Sequence, residues 1–238
     1  MIFLAANPFT QAFVEADFLG RMIFFGLFIL SFMCWSLLLY KLWINYQLHK
    51  DIPTFEKIFE SQKKNPLNLT FESIENSTKH PFSFIYKEVN EKTREILNKN
   101  SYFKKEGGVH LSKTDMELIE SASYHTINKQ SGLFEKNLFV LSMITTLAPF
   151  LGLLGTVWGI LVTFSGLTTH SMTNINTTVL SGLSMALTTT VIGLVVAIPA
   201  LIGYSTLKNN SKLLAKKMEE FSKNLLHTIE IQYRKVDL

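Results

Sequence analysis

Charge is missing where a water-covered domain would need it: no Lys, Arg, Asp or Glu occurs between positions 137 and 207 of the 238 residues. Charged residues make up 18% of the chain against 47% apolar, below the roughly 25% charged of soluble proteins. The shortfall is local, and it excludes an ordinary soluble core for that stretch. Cysteine is nearly absent too. Cys34 is the single one and lies in an apolar run, where a thiol behaves as a small hydrophobe, so an internal disulfide and a cysteine-held metal cluster are both excluded. The constellations of soluble enzymes are also lacking: there is no phosphate-cradling Gly loop with a Lys, no HExxH pair and no nucleophile elbow. No catalytic residue, metal site or cofactor is expected, and the chain does not read as an enzyme. The net charge of +4 does not indicate nucleic acid, because the bases sit among acids, as in Lys87, Glu88, Glu91, Lys92, Arg94 and Glu95. That is the pattern of solvated helix faces rather than of a basic groove with stacking aromatics.

What is present is three long apolar segments. Residues 22–40 read MIFFGLFILSFMCWSLLLY, with Trp35, Tyr40 and Trp43 toward one end, long enough to cross a bilayer core as a helix. The long uncharged region holds two more, separated by the polar stretch LTTHSMTNINTT. The expected fold is an all-α membrane protein: three transmembrane helices at 22–44, 138–166 and 179–206, with long cytoplasmic helical extensions. The bases set the orientation. Fifteen Lys/Arg lie from Lys41 to Lys136, seven follow Leu207, and none lies in the connection between the second and third spans. Positive-inside logic then puts the loop 45–137 and the C-terminal helix 207–238 in the cytoplasm, and the segment 1–21 and the connection 167–178 outside. Glu15 and Asp17 precede the first span in place of a basic leader, so that span is expected to be retained rather than cleaved.

In the cytoplasmic loop, Pro53, Pro66, Pro81 and Gly107-Gly108 are expected to delimit short helices, and Thr114-Asp115-Met116-Glu117 has the form of a capping box. A helix is expected from there into the second span. In the tail, Leu214, Met218, Phe221, Leu225 and Ile229 recur at three- and four-residue spacing, an apolar stripe to be covered by the protein's own loop helices or by a partner subunit.

Gly152, Gly155, Thr156, Gly159, Thr163 and Gly166 fall on one face of the second span, and Gly182, Ala186, Thr189, Thr190, Gly193, Ala197 and Ala200 recur likewise in the third. Such narrow faces let two antiparallel helices approach closely. Thr156 lies about eleven residues before the connection and Thr190 about twelve after it, which predicts similar depth in the bilayer. The rows of threonine, including Thr145, Thr146, Thr188 and Thr189, suggest interhelical hydrogen bonds or a wet path, since buried polar groups need partners. A Thr can also return its hydrogen bond to its own helix. Pro149 and Pro199 are expected to bend their helices. Threonine does not titrate near neutrality, and the apolar runs 22–40, 138–166 and 179–206 contain no Asp, Glu, Lys, Arg or His. His170 lies in the connection and reads as a polar loop residue. If an ion gradient is used, the titratable group must come from a partner helix.

The stretch Ala148-Pro149-Phe150-Leu151-Gly152-Leu153-Leu154-Gly155-Thr156-Val157-Trp158-Gly159-Ile160 resembles the second-span signature of TolQ and ExbB proteins. Residues 186–194, ALTTTVIGL, followed by Ala197-Ile198-Pro199-Ala200, are similar to that family's third span. The resemblance covers the chain in architecture and about fifty residues in motif. It implies that Thr156 and Thr190 line an ion path between subunits; Thr189 and Thr163 lie beside them on the same two faces, where Gly152, Gly155, Gly159, Gly182, Gly193 and Ala197 are the helix-packing positions. It also implies an inner-membrane homo-oligomer, typically a pentamer, around two single-span partners of the TolR/ExbD kind, each bringing one membrane Asp. Proton-motive force would then drive the ring against those partners to energise import or envelope integrity, two roles the sequence does not separate. Where many family members carry an acid five residues before the third-span Thr, this chain has Met185, which cannot relay protons. A non-conducting scaffold for a single-span partner is the alternative. A self-sufficient transporter is disfavoured by the lack of an inverted repeat.

Overall fold

The computed structural model describes residues 8–61, 65–68, 80–103, 110–169 and 175–233. They form helices α1 (Pro8–Glu15), α2 (Phe18–Ser61), α3 (Pro81–Phe103), α4 (Lys113–Glu135), α5 (Leu138–Thr169) and α6 (Ile175–Tyr233), with a 3-10 turn at Pro66–Asn68 and no strand among the described residues. Three candidate spans, one in each of α2, α5 and α6, are long and apolar enough to cross a membrane. The Gly107-Gly108 break and His170 lie outside the described residues.

The chain divides into two compact units. The first, Met1–Leu42 with Asn137–Leu207, has a core in which Leu27, Cys34 and Leu38 of α2 pack with Leu141, Ile144 and Ala148 of α5 and Val196, Ala197 and Ala200 of α6. Its outward side chains are large and apolar. Phe25, Phe28, Phe32, Phe139, Phe150 and Leu187 are 62–73% exposed, a surface that a monomer in water rarely carries and that lipid tails solvate without cost.

The second unit, Trp43–Lys136 with Lys208–Leu238, has an apolar core of its own. Leu214, Met218, Phe221, Leu225 and Ile229 of α6 are all buried, against Ile52, Phe55 and Phe59 of α2, Phe82, Ile85 and Val89 of α3, and Ile119 and Ile127 of α4. The tail stripe is thus covered by the protein's own loop helices. A buried Ser123–Ser222 hydrogen bond joins α4 to α6 within this core.

Three local expectations give way to packing. Pro53 does not end a helix but lies inside α2, because burial of its neighbours Ile52, Phe55 and Phe59 outweighs the backbone hydrogen bond that proline removes. The capping box of α4 is built by Ser112 and Asp115, with Thr114 already within the helix. The helix does not run unbroken into the second span either. Lys136 N–H closes α4 on Gly132 O, and Asn137 takes φ 70, a left-handed conformation that asparagine accepts more readily than most residues. Pro66 opens the 3-10 turn and Pro81 the helix α3, where a missing N–H costs nothing.

Candidate ion-path seam

Helices α5 and α6 meet along their small-residue faces. The carbonyl of Gly182 lies 2.5 Å from where a Cβ on Gly159 would stand, and the Cα of Thr190 lies 3.1 Å from the same point on Gly152. A Cβ on Gly193 would stand 2.7 Å from Ala148 O, and one on Gly182 would strike the Thr163 hydroxyl. At Gly159, Gly182 and Gly193 only hydrogen fits without a shift, at Gly152 the fit is tight, and along the seam the backbones come into close contact. Ala197 is buried in the adjoining core. Pro149 and Pro199 both sit inside continuous helices.

Thr163, Thr189 and Thr190 lie in this seam and Thr156 beside it, all with hydroxyls that can bond to their own helix. Thr156 donates to Leu153 O at 2.7 Å and Thr163 to Gly159 O at 2.8 Å. Thr189, fully buried, donates to Met185 O and Ala186 O at 3.0 Å each, with Gly152 O at 3.5 Å across the seam. Thr190 lies 3.4 Å from both Ala186 O and Gly152 O. The last two residues reach across and could exchange partners. The register sets Thr190 beside Gly152 rather than Thr156, so Thr156 stands about one turn, or roughly 5 Å, nearer the connection between the helices. Equal counting from the two ends of the connection missed this offset because the helices do not start level.

The Met185 side chain turns to the start of α2. It is 2% exposed and packs with Ala12, Ala16 and Phe24, its sulfur 2.5 Å from where a Cβ on Gly20 would be. Beside it sits a group that the sequence reading passed over. Asp17 accepts from Gly20 N–H at 3.0 Å, which caps the start of α2, and from the indole Nε1–H of Trp158 at 2.8 Å. An Asp just before an apolar run is a recognisable N-cap; its indole partner, 141 residues away, leaves no local trace.

A seam of glycine and threonine between two apolar helices, with no titratable side chain of its own, can hold an ion or water only through hydroxyl and carbonyl oxygens. The profile of the MotA/TolQ/ExbB proton channel family matches residues 82–220, more than half of the chain. The chain belongs to that family. The matched region contains all of α5 and every α6 residue of the seam, from Gly182 to Ala197. Among relatives, it is similar to the biopolymer transport protein ExbB of Helicobacter pylori, with 38% identity over 109 residues, 46% of this chain and 71% of that protein. It is similar to the Tol-Pal system protein TolQ of Pseudomonas aeruginosa, with 36% identity over 107 residues, 45% of this chain and 46% of the other. With ExbB of Pseudomonas putida the similarity is 29% over 195 residues, 80% of this chain and 54% of the relative. The matches to the two Pseudomonas proteins thus span about half of those proteins' own lengths.

Proposed function

We propose that this family member is an inner-membrane, proton-channel-forming subunit of a motor of the TolQ–TolR or ExbB–ExbD kind, which uses proton-motive force to energise outer-membrane import or envelope integrity. The observation that carries this reading is the α5–α6 seam: hydroxyls able to pass or coordinate an ion, and no carrier of protons among them. A partner helix with a membrane Asp supplies the missing carboxylate, and a homo-oligomer, a pentamer by resemblance, surrounds it. The segments 22–44, 138–166 and 179–206 span the membrane, with the N-terminus and 167–178 periplasmic and the loop 45–137 and tail 207–238 cytoplasmic. No covalent chemistry is assigned.

The test is Thr156→Ala. Its hydroxyl bonds only to its own helix among the described contacts, so its loss leaves the fold nearly unchanged. Gradient-driven proton flux through the assembled complex should fall while native mass is preserved. The non-conducting scaffold is favoured by a specific observation, namely that the described hydroxyls of the seam can all bond to carbonyls of their own helices. A Thr156→Ala complex with normal flux-dependent work decides for that scaffold.

A further inference from the structure

The contacts between α5 and α6 fix their distance and limit how far α5 can roll about its own axis, with Thr189 in the hollow at Gly155 and Thr163 in that at Gly182. They all lie on the one face that meets α6, however, and leave the flanks of α5 to other contacts. The described cross-seam hydrogen bonds, Thr189 and Thr190 to Gly152 O, are 3.4–3.5 Å long, at the weak end of the range. The Asp17–Trp158 contact is of another kind. It is short, at 2.8 Å, its acceptor is a carboxylate, and charge-assisted hydrogen bonds are about twice as strong as neutral ones. Its second oxygen is engaged by the first turn of α2, so the anchor itself is fixed. Gly20 in that turn lies against Met185 of α6, which seats the start of α2 on the third span as well.

The position of the clasp on α5 gives it leverage. At about 100° per residue, Trp158 and Thr156 fall on opposite flanks of the face formed by Gly152, Gly155, Gly159 and Thr163. Holding the indole on one flank determines how much of Thr156 is turned into the seam on the other. We propose that Asp17 is a positioning residue for the ion path: by holding the Trp158 indole while capping α2, it sets the roll of α5 and so the direction in which Thr156 faces. This rests on the reading of the seam as the ion path, and its structural half can be tested without that reading.

Asp17→Asn separates the two jobs of the side chain. An asparagine oxygen still caps Gly20 N–H, since Asn is as good an N-cap as Asp, but the amide NH₂ then faces the indole N–H. Trp158→Phe removes the donor while keeping an aromatic ring. In the full-length protein carrying Cys34→Ala, a nitroxide is attached at Thr156→Cys or, on the other flank, at Val162→Cys, and its accessibility to dissolved oxygen is measured in lipid. The expected result is opposite shifts at the two sites, one rising and one falling, in both clasp variants, with no further change when the variants are combined. Proton flux in the otherwise unlabelled Asp17→Asn complex should fall below that of the parent complex. Unchanged accessibility, or a parallel rise at both sites, overturns the proposal and makes the contact a plain stabiliser. Should Trp158→Phe not accumulate, Asp17→Asn alone decides, because its cap is intact. Thr156→Ala run in the same flux assay separates the two ideas: opposite shifts with flux insensitive to Thr156 remove the ion-path reading and with it the functional half of this one, whereas flux sensitive to Thr156 but not to Asp17 removes the clasp's role alone.

Discussion

The side chain of Thr189 fills the space that a Cβ on Gly155 would need. The atoms met there belong to a β-branched side chain buried completely on α6, which has no open rotamer to retreat into. Gly155→Val should therefore push the two helices apart and destabilise the first unit by about 1–3 kcal/mol. Thermal unfolding of the detergent-solubilised protein measures this, and adding Thr189→Gly should recover much of the loss. A Val variant as stable as the parent would show that the helices do not touch there.

Met185 is sealed against Gly20, Ala16 and Phe24, so an acid introduced at this position is expected to point to the start of α2 rather than into the threonine seam. Met185→Glu should bury a polar group beside Asp17, at a cost of about 2–7 kcal/mol if it finds no partner. Met185→Leu should change stability by less than about 1.5 kcal/mol. The comparison is made by melting temperature and by proton flux; a stable, normally assembled Met185→Glu protein with raised flux would show that this side chain does reach the path.

His80 is 3% exposed, stacked on Phe55 at 4.4 Å between ring centroids and 5.4 Å from Phe82, with Nδ1 unpaired among the described residues. Burial pushes its pKa below the usual 6.5, with the Leu48 carbonyl and the Asp51 carboxylate opposing. The folded form thus favours neutral His80, and the unfolded chain takes up the proton first. Stability from this site is complete above about pH 6.5 and is lost as pH falls from there through the lowered folded value. Unfolding midpoints between pH 8 and 5 should decline, and the decline should be flatter in His80→Gln; equal slopes in the two proteins would contradict the assignment.

Ser112, with φ −80 and ψ 166, accepts from Asp115 N–H at 3.2 Å, while Asp115 Oδ2 accepts from Ser112 N–H at 2.9 Å and from the Asn100 amide at 3.1 Å. Ser112→Ala should cost about 1 kcal/mol, whereas Thr114→Ala, inside the helix, should cost far less. Hydrogen exchange of the first amides of α4 distinguishes them. The Asp115 carboxyl lies below its usual value: burial raises it, but hydrogen bonds from Ser112 and Asn100 and the charge of Lys99 together outweigh that effect. Its support of the cap is therefore present at neutral pH and lost as pH falls below about 4 and through that lowered value.

The three spans, the glycine faces of α5 and α6 and the buried stripe of the tail could be read from the chain because each depends on a local period. A helix puts residues three and four apart on one face whatever it packs against, and an uncharged run avoids water regardless of its neighbours. The sequence by itself therefore determined which segments avoid water and which faces are narrow. Only the tertiary structure decided which residues those faces meet: Thr190 beside Gly152, Met185 in the hollow of Gly20, and Asp17 on Trp158. Contacts between different helices, whether 38 positions apart or 141, depend on the relative shift and roll of whole helices, and side-chain packing fixes these only once the helices have come together.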